Sequence, residues 1–312
     1  MPAGITEKCT LSLEGSEAEA QFAVLDLPGY VDWDIDGVVG WGAVKGNILQ
    51  IDAAAHRVSC LSKLPRKART WTRLNVVADS DILELQIPED GATNAAVVLD
   101  TGSGAGVALA PQRWQRWSVA HPHQPMTVNS FFTLGDNIVV NEEAWAERIS
   151  FGPLVLTDVP VMEAPPYWVA SGGPRSEGSL GLAALKGLNL IVDGCHGVAY
   201  VQAKKTRPRP YQHNRLGAAF VPSDSGGNEL FARVVEGSPA QEAGVRNGDV
   251  LLSIDELEVT KRHHDALKRF RNPPGTKLTL TLKRDGKVFK ASATLRQFLG
   301  PGTAKSAPNE QK

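Results

Sequence analysis

Two segments of this chain repeat one another, and a duplicated unit limits the folds that the first two thirds can adopt. DGVVGWGAVKGNILQID begins at Asp36, and EGSLGLAALKGLNLIVD begins at Glu177. Aligned without gaps, the two segments are identical at Gly37 and Gly178, Gly40 and Gly181, Ala43 and Ala184, Lys45 and Lys186, Gly46 and Gly187, and Asp52 and Asp193. In each copy a glycine precedes a short helical stretch, which is followed by a strand pattern in which apolar and polar residues alternate. The two segments begin 141 residues apart, which is the length of a domain and indicates two copies of one lobe.

Composition places the chain among ordinary globular proteins. It has 312 residues, of which 42% are hydrophobic and 21% charged, and its net charge is −1. This balance gives no reason to expect nucleic acid or an anionic membrane surface as a partner, and no apolar run is long enough to span a bilayer. Cys9, Cys60 and Cys195 lack the spacing of a metal site, so that one disulfide and free buried thiols are both compatible with the sequence.

Strand patterns dominate the region between the two repeats. ILELQIP, AAVVLD and GPLVLTDVPVME have the β-branched content or alternation of strands. Two short segments instead predict helices, Pro111–Trp117 and Asn141–Ile149, and we expect Trp114 and Trp117 of the first to cover the core. His121 and His123 are separated by proline and predict a solvated loop rather than a metal site. The predicted fold class is mainly β.

The segment VVLDTGSGAG, from Val97 to Gly106, ends a buried-strand pattern on a carboxylate. A carboxylate is costly to bury unless it is hydrogen-bonded or neutral. Gly102 permits a tight turn, and the hydroxyls of Thr101 and Ser103 can form hydrogen bonds with neighbouring groups. The sequence SLG, Ser179 to Gly181, follows further along the chain. Asp100 is therefore the principal candidate for chemistry.

This combination resembles the aspartic peptidases of the retropepsin and pepsin type. Asp100, Thr101 and Gly102 match the catalytic loop of that family, Ser103 supports it, and Leu180 and Gly181 match the strand that crosses the loop; Ser179 replaces one of the usual apolar residues. The resemblance implies acid-protease-type β-barrel lobes, a partial one over 1–64 and a complete one over 70–203. It also implies that polypeptide substrates are hydrolysed by a water held between two carboxylates that share a proton, without metal or cofactor.

The first repeat has no Asp-Thr-Gly of its own, so the second carboxylate of the expected dyad is missing. Three explanations are open. The N-terminus is truncated, or a homodimer completes the dyad with two Asp100 side chains, or activity is lost and the fold retained. The resemblance further implies an exported protein, periplasmic or extracellular, although the chain begins without the pattern of a signal peptide.

The composition changes after Ala203. Residues 204–215 read as a basic linker, 216–299 as a separate small domain and 300–312 as a disordered tail. GSPAQEAGVRNGDVLLSID resembles the PDZ modules of bacterial proteases, which implies an α+β PDZ domain. Independently, Ser238 and Pro239 predict a helix start, Gly244 its end, and Asp285–Lys287 a hairpin turn.

A PDZ domain implies that extended peptides, C-terminal ones above all, bind by adding a strand to a sheet edge. The residues that match its peptide site are a loop, Leu216, Gly217 and Ala218, an edge strand that begins with Ala219 and Phe220, and His264 of the expected groove helix. We therefore expect an aspartic endopeptidase whose PDZ module binds substrates. The alternative is an inactive protease-like scaffold that binds peptides through the PDZ domain.

Overall fold

The computed structural model describes residues 2–13, 16–25, 37–78, 80–89, 92–133, 137–165, 176–204, 211–223, 229–259 and 263–303. Strands are numbered along the chain: β1 (Pro2–Ile5), β2 (Cys9–Leu13), β3 (Ser16–Ala20), β4 (Ala23–Leu25), β5 (Ile48–Asp52), β6 (Arg57–Leu61), β7 (Thr72–Asn75), β8 (Glu84–Glu89), β9 (Ala92–Leu99), β10 (Val107–Leu109), β11 (Thr127–Thr133), β12 (Asn137–Phe151), β13 (Leu154–Glu163), β14 (Ser176–Leu180), β15 (Leu188–Asp193), β16 (Val198–Ala203), β17 (Ala218–Pro222), β18 (Leu230–Val234), β19 (Val250–Ile254), β20 (Leu257–Glu258), β21 (Lys277–Arg284) and β22 (Lys287–Thr294). The described helices are short: Trp41–Val44, Arg66–Thr70, Pro111–Ala120, Leu182–Leu185, Pro239–Glu242, His263–Lys268 and Arg269–Arg271.

The two sequence repeats form the same local structure and lie next to each other. Each has a four-residue helix, Trp41–Val44 or Leu182–Leu185, followed by a strand, β5 or β15. These strands pair antiparallel, with Ile51 opposite Leu190, at the centre of a five-stranded sheet of order β6-β5-β15-β16-β7. The helical and strand stretches predicted for both copies are therefore confirmed. Two small antiparallel pairs, β1 with β4 and β2 with β3, precede this sheet.

A seven-stranded sheet of order β11-β12-β13-β10-β14-β9-β8 holds the Asp100 region. Two of its pairings are parallel, β9 with β14 and β10 with β13. Mainly β structure is confirmed, but the predicted β-barrel lobes are wrong. Within the described residues the sheet is open, because β11 and β8 lie at its opposite ends and do not pair.

The predicted helix over Asn141–Ile149 is also wrong, because this segment belongs to the long strand β12. Its glutamates and alanines favour helices when they are judged one at a time. In the structure β12 is paired on both sides, with β11 and with β13, and its Ala144 and Ala146 are buried in the core. Tertiary pairing overrides the intrinsic preference. The helix predicted from Pro111 is confirmed and extends to Ala120.

The C-terminal unit is a sheet of order β17-β18-β19-β21-β22, with β20 paired to β19. The predicted helix start is confirmed: Ser238 caps the helix by accepting a hydrogen bond from the amide of Gln241, and Pro239 is its first residue. Gly244 ends this turn with a φ of +85°. The predicted hairpin joins β21 to β22 through Asp285 and Gly286, both with positive φ.

The two main hydrophobic cores are formed by successive parts of the chain. The first extends from Ile51 to Val201 and includes Trp114 and Trp117, as predicted, and the second extends from Leu216 to Leu295. The domain boundaries expected from the sequence stay predictions. Half of the predicted linker, 205–210, and most of the tail, 304–312, lie outside the described residues. Among the helices that the structure describes, none has the length and apolar character needed to cross a bilayer.

A smaller apolar cluster joins the two units. Trp145 of β12 packs with Phe298 and Leu299 from the end of the second unit, and Tyr211 lies against them. The Tyr211 hydroxyl donates a 2.5 Å hydrogen bond to Oε1 of Glu143. Glu143 is fully buried, and no described group bonds its other carboxylate oxygen. The contact between the units therefore contains a buried acid.

Burial raises the pKa of Glu143 to about 7, although the Tyr211 hydrogen bond and the charge of Arg271 act in the opposite direction. In the same contact, burial lowers the pKa of His213 to about 4. A carboxyl whose pKa is higher in the folded state binds its proton more tightly there than in the unfolded chain. At a pH below the pKa that Glu143 has in the unfolded chain, its contribution to the free energy of unfolding is therefore fully present. This contribution is lost as the pH rises through the folded-state pKa of about 7.

Replacing Glu143 with glutamine should remove this pH dependence. Between pH 4.5 and 7 the free energy of unfolding of the native chain should fall by about 3 kcal/mol relative to that of Glu143→Gln, since one pKa unit corresponds to about 1.4 kcal/mol. Denaturant unfolding across this range measures the difference. Glu147→Gln, at an exposed position of the same strand, is the control and should follow the native chain. Equal pH profiles for all three proteins would contradict a buried Glu143.

Candidate functional site

The structure brings the predicted Asp100 loop and the predicted crossing segment together. β14 lies parallel to β9, with Leu180 opposite Leu99, and the Asp100 amide donates a 3.0 Å hydrogen bond to the carbonyl of Leu180. The next residue, Gly181, donates its amide to the carbonyl of Gly106. Asp100 and Ser103 are partly buried, whereas Thr101 and Gly102 are exposed. The six predicted residues of this site thus form one cluster.

Close backbone approach explains why a glycine is required at position 181. A Cβ atom there would lie 2.4 Å from the carbonyl oxygen of Ala105, which is part of the Asp100 loop. Real Cβ atoms essentially never approach another atom so closely, so a larger residue would displace the backbone. Gly104, in the same loop, has open space around the corresponding position.

The Asp100 carboxylate interacts with its own loop. Its Oδ1 accepts a 3.0 Å hydrogen bond from the amide of Gly102. Burial raises the pKa of Asp100, while backbone hydrogen bonds from Gly102 and Ser103 lower it. These causes include no charged side chain. Its role in this site, like that of Thr101 and Gly102, stays a prediction.

The predicted peptide loop of the C-terminal unit is deeply buried. Leu216 and Ala218 have no exposed surface, and Ala219 and Phe220 are also buried. Gly217 has a φ of +71°, and a Cβ on it would lie 2.4 Å from Cβ of Ser238. Backbone conformation and packing both require glycine at this position. The structure therefore brings Leu216, Gly217 and Ala218 together as a closely packed turn.

Asn214 organises this turn, and the sequence analysis does not single it out. Its Oδ1 accepts hydrogen bonds from the amides of Leu216, at 3.0 Å, and Gly217, at 3.2 Å. Its Nδ2 donates a 2.8 Å bond to the carbonyl of Ala218. Asparagine commonly bonds the backbone two residues ahead, so its position before a glycine turn is a signal that could have been used. We define the amides of Leu216 and Gly217 with the carbonyl of Ala218 as the cradle.

Hydrogen bonding along β17 determines which of its backbone groups face away from β18. The amide of Val235 donates to the carbonyl of Gly217, so these two residues form a hydrogen-bonded pair. In an antiparallel ladder, hydrogen-bonded pairs alternate with pairs that do not bond each other. Ala219 and Val221 therefore bond to β18, whereas Ala218 and Phe220 direct their N–H and C=O groups to the other edge. Within the described sheet, β17 is an edge strand paired only with β18. This edge is the place where a further strand could be added.

The helix expected beside the groove is present as His263–Lys268. Its Ala266 is buried in the second core, and Phe270, just beyond it, packs against Phe220 with ring centroids 5.7 Å apart. The side chain of His264, predicted to face the peptide, lies outside the described residues. The helix and β17 therefore belong to one core, and the contribution of His264 stays a prediction.

The other candidate residues belong to neither cluster. Cys9, Cys60 and Cys195 form no disulfide, so the thiols are free, but they are exposed and not buried as expected. His121 and His123 are exposed, and His121 stacks on Trp117. No group of three potential metal ligands occurs among the described residues.

Sequence comparison identifies a family model and several curated relatives that match part of this chain. A family model described as "PDZ domain" matches residues 230–284. Residues 230–284 belong to a PDZ domain. "Probable periplasmic serine endoprotease DegP-like" from Chlamydia pneumoniae is 37% identical over 73 residues, which are 22% of this chain and 14% of that protein. The protein of the same description from Chlamydia trachomatis is 35% identical over 74 residues, again 22% and 14%. The matched segment thus spans about a seventh of these relatives.

Structure comparison finds HtrA-type proteases. "HtrA-type protease AlgW with tripeptide" has 13% sequence identity and a TM-score of 0.25, covering 82% of this chain and 95% of that one. "HtrA-type protease AlgW with decapeptide" has 11% identity and a TM-score of 0.25, covering 92% and 87%. A TM-score this low does not establish a shared fold. The prediction of a PDZ domain is confirmed by the family model. A segment of this chain is similar in sequence to the DegP-like proteins.

The prediction of an aspartic endopeptidase of the retropepsin or pepsin type is contradicted by these comparisons. The curated relatives are named serine endoproteases. The open arrangement of the described sheet agrees with this correction. A homodimer that completes a dyad with two Asp100 side chains is likewise not supported.

Packing of the crossing segment can be tested through its glycine. Gly181→Ala should lower the free energy of unfolding by about 1–3 kcal/mol, because the new Cβ collides with the Ala105 carbonyl. Gly104→Ala, at an exposed position with open space, should change it by less than about 0.5 kcal/mol. Thermal or denaturant unfolding of both variants gives the comparison. Equal stability of the two variants would exclude the close approach described here.

Proposed function

We propose that the C-terminal unit binds extended polypeptide segments by adding them as a strand to the free edge of β17. The observation that carries the proposal is the orientation of the backbone of Ala218 and Phe220, which points away from β18 in a segment next to a matched PDZ domain. Strand addition derives its affinity from main-chain hydrogen bonds, and a sheet edge offers them ready-made.

Apolar side chains beside this edge support the same proposal. Leu216, Ala218 and Phe220 belong to the second core, and Ala266 of the adjoining helix belongs to it as well. Alternate side chains of an added strand would point towards this helix, where apolar residues give specificity. The unit would therefore select segments with an apolar residue at the position facing the helix.

The opposite face of β17 is covered. Ala219 and Val221 are buried, although neither belongs to the second core. β11 and β12 of the first unit contact β17. The first unit therefore contacts this strand, and no strand is paired to its hydrogen-bonding edge among the described residues. A ligand would bind at the edge beside the first unit.

Amide hydrogen exchange of the full chain tests this geometry residue by residue. The probe is a peptide selected from a random-sequence library displayed both within a carrier loop and at a free C-terminus. On binding, the amides of Ala218 and Phe220 should gain protection, because they donate to the added strand. Those of Ala219 and Val221 should not change, since they already bond to β18. A library that yields no ligand, or protection confined to another region, would refute the proposal.

A further inference from the structure

We propose that this peptide site recognises internal extended segments in preference to free C-terminal carboxylates, because Asn214 already occupies the cradle. The inference rests on the proposed function, since it specifies which peptides would bind along β17. It departs from the sequence-based prediction of C-terminal peptides.

The side chain of Asn214 has the polar groups that a peptide end would present. A terminal carboxylate would accept bonds from the cradle amides, and Oδ1 of Asn214 accepts from Leu216 and Gly217. A strand beside β17 would donate to the carbonyl of Ala218, and Nδ2 of Asn214 does so. Donors and acceptors of the cradle are thus satisfied within the chain.

Neighbouring groups hold Asn214 in this position. The hydroxyl of Thr127, in β11 of the first unit, donates a 2.7 Å hydrogen bond to the carbonyl of Asn214. On its C-terminal side, the amide of Arg215 donates to the carbonyl of Phe270, and the carbonyl of Arg215 accepts from the amide of Arg296. Thr127 has no exposed surface, and Asn214 is only 8% exposed. These bonds fix the backbone at Asn214, and the carboxamide is held by its own three bonds to Leu216, Gly217 and Ala218.

Displacement of Asn214 would leave a buried carboxamide without partners, which carries a free-energy cost. A carboxylate ligand would have to meet this cost before it reached the cradle amides. A segment that continues in both directions avoids it, because it can use Phe220 and the rest of the edge without entering the cradle. The site therefore gains little from a terminal carboxylate in its resting state.

Two forms of one peptide test the inference in the full-length protein. The selected sequence is synthesised as the free acid and as the C-terminal amide, and both Kd values are measured by calorimetry at moderate ionic strength. The native chain should bind the two forms with Kd values within about threefold of each other. A carboxylate that enters an open cradle would instead favour the acid by about tenfold or more, the usual effect of hydrogen bonds to a charged group.

Replacing Asn214 should reverse the preference. Asn214→Ala frees the two cradle amides, so the acid should bind at least about tenfold more tightly than the amide. Asn214→Asp keeps an acceptor in place but adds a negative charge, so it should bind the acid more weakly than the native chain does. Asn247→Ala is the matched control, because Asn247 also accepts a backbone amide bond, from Val234, but outside the cradle. It should retain the native ratio.

The outcomes separate the inference from the proposed function. Equal binding of acid and amide by the native chain, with acid preference in Asn214→Ala, supports the inference. A native chain that binds the acid about tenfold more tightly overturns it and leaves strand addition intact. A variant that fails to fold does not affect the comparison in the native chain. If neither peptide form binds, the proposed function fails, and the inference fails with it.

Discussion

The segment from Tyr211 to Gly217 joins the apolar cluster around Trp145, which Tyr211 contacts, to the second core, which begins at Leu216. A buried backbone is tolerated only when its polar groups are hydrogen-bonded. His213, Asn214 and Arg215 are all buried. The chain satisfies this requirement from three directions: Thr127 of the first unit, Phe270 after the helix, and residues 296–299 near the C-terminal end of the described chain. The position of the peptide loop depends on this bonding, because the loop begins where the buried segment ends.

Features controlled by local backbone chemistry could be predicted from the sequence. Ser238 and Pro239 start a helix, Gly244 ends it, and Asp285 with Gly286 turns a hairpin, because each residue meets a conformational requirement of its own position. The repeated helix-and-strand pattern was found for the same reason. The PDZ prediction relied on the resemblance of one short stretch to the PDZ modules of bacterial proteases, and it is confirmed.

The predictions that failed depended on partners remote in the sequence. Asn141–Ile149 has helical composition, but pairing with β11 and β13 makes it a strand. The Asp100 loop and Leu180 are in contact, as predicted. That contact alone does not determine whether the sheet closes into a barrel or whether a second carboxylate lies nearby. Asn214 was missed because its importance comes from two turn amides and a carbonyl that only the folded loop aligns. The interactions at the candidate sites could therefore be identified only from the tertiary structure.

Parallel pairing of β9 with β14 also affects how the chain folds. The two strands are joined by more than seventy residues, whereas β21 and β22 are joined by a two-residue turn. Bringing distant segments together costs chain entropy before any contact compensates for it, and folding is slower where such contacts dominate. The C-terminal unit should therefore reach its native state sooner than the seven-stranded sheet, whose unpaired edges stay open to association with other chains in the meantime.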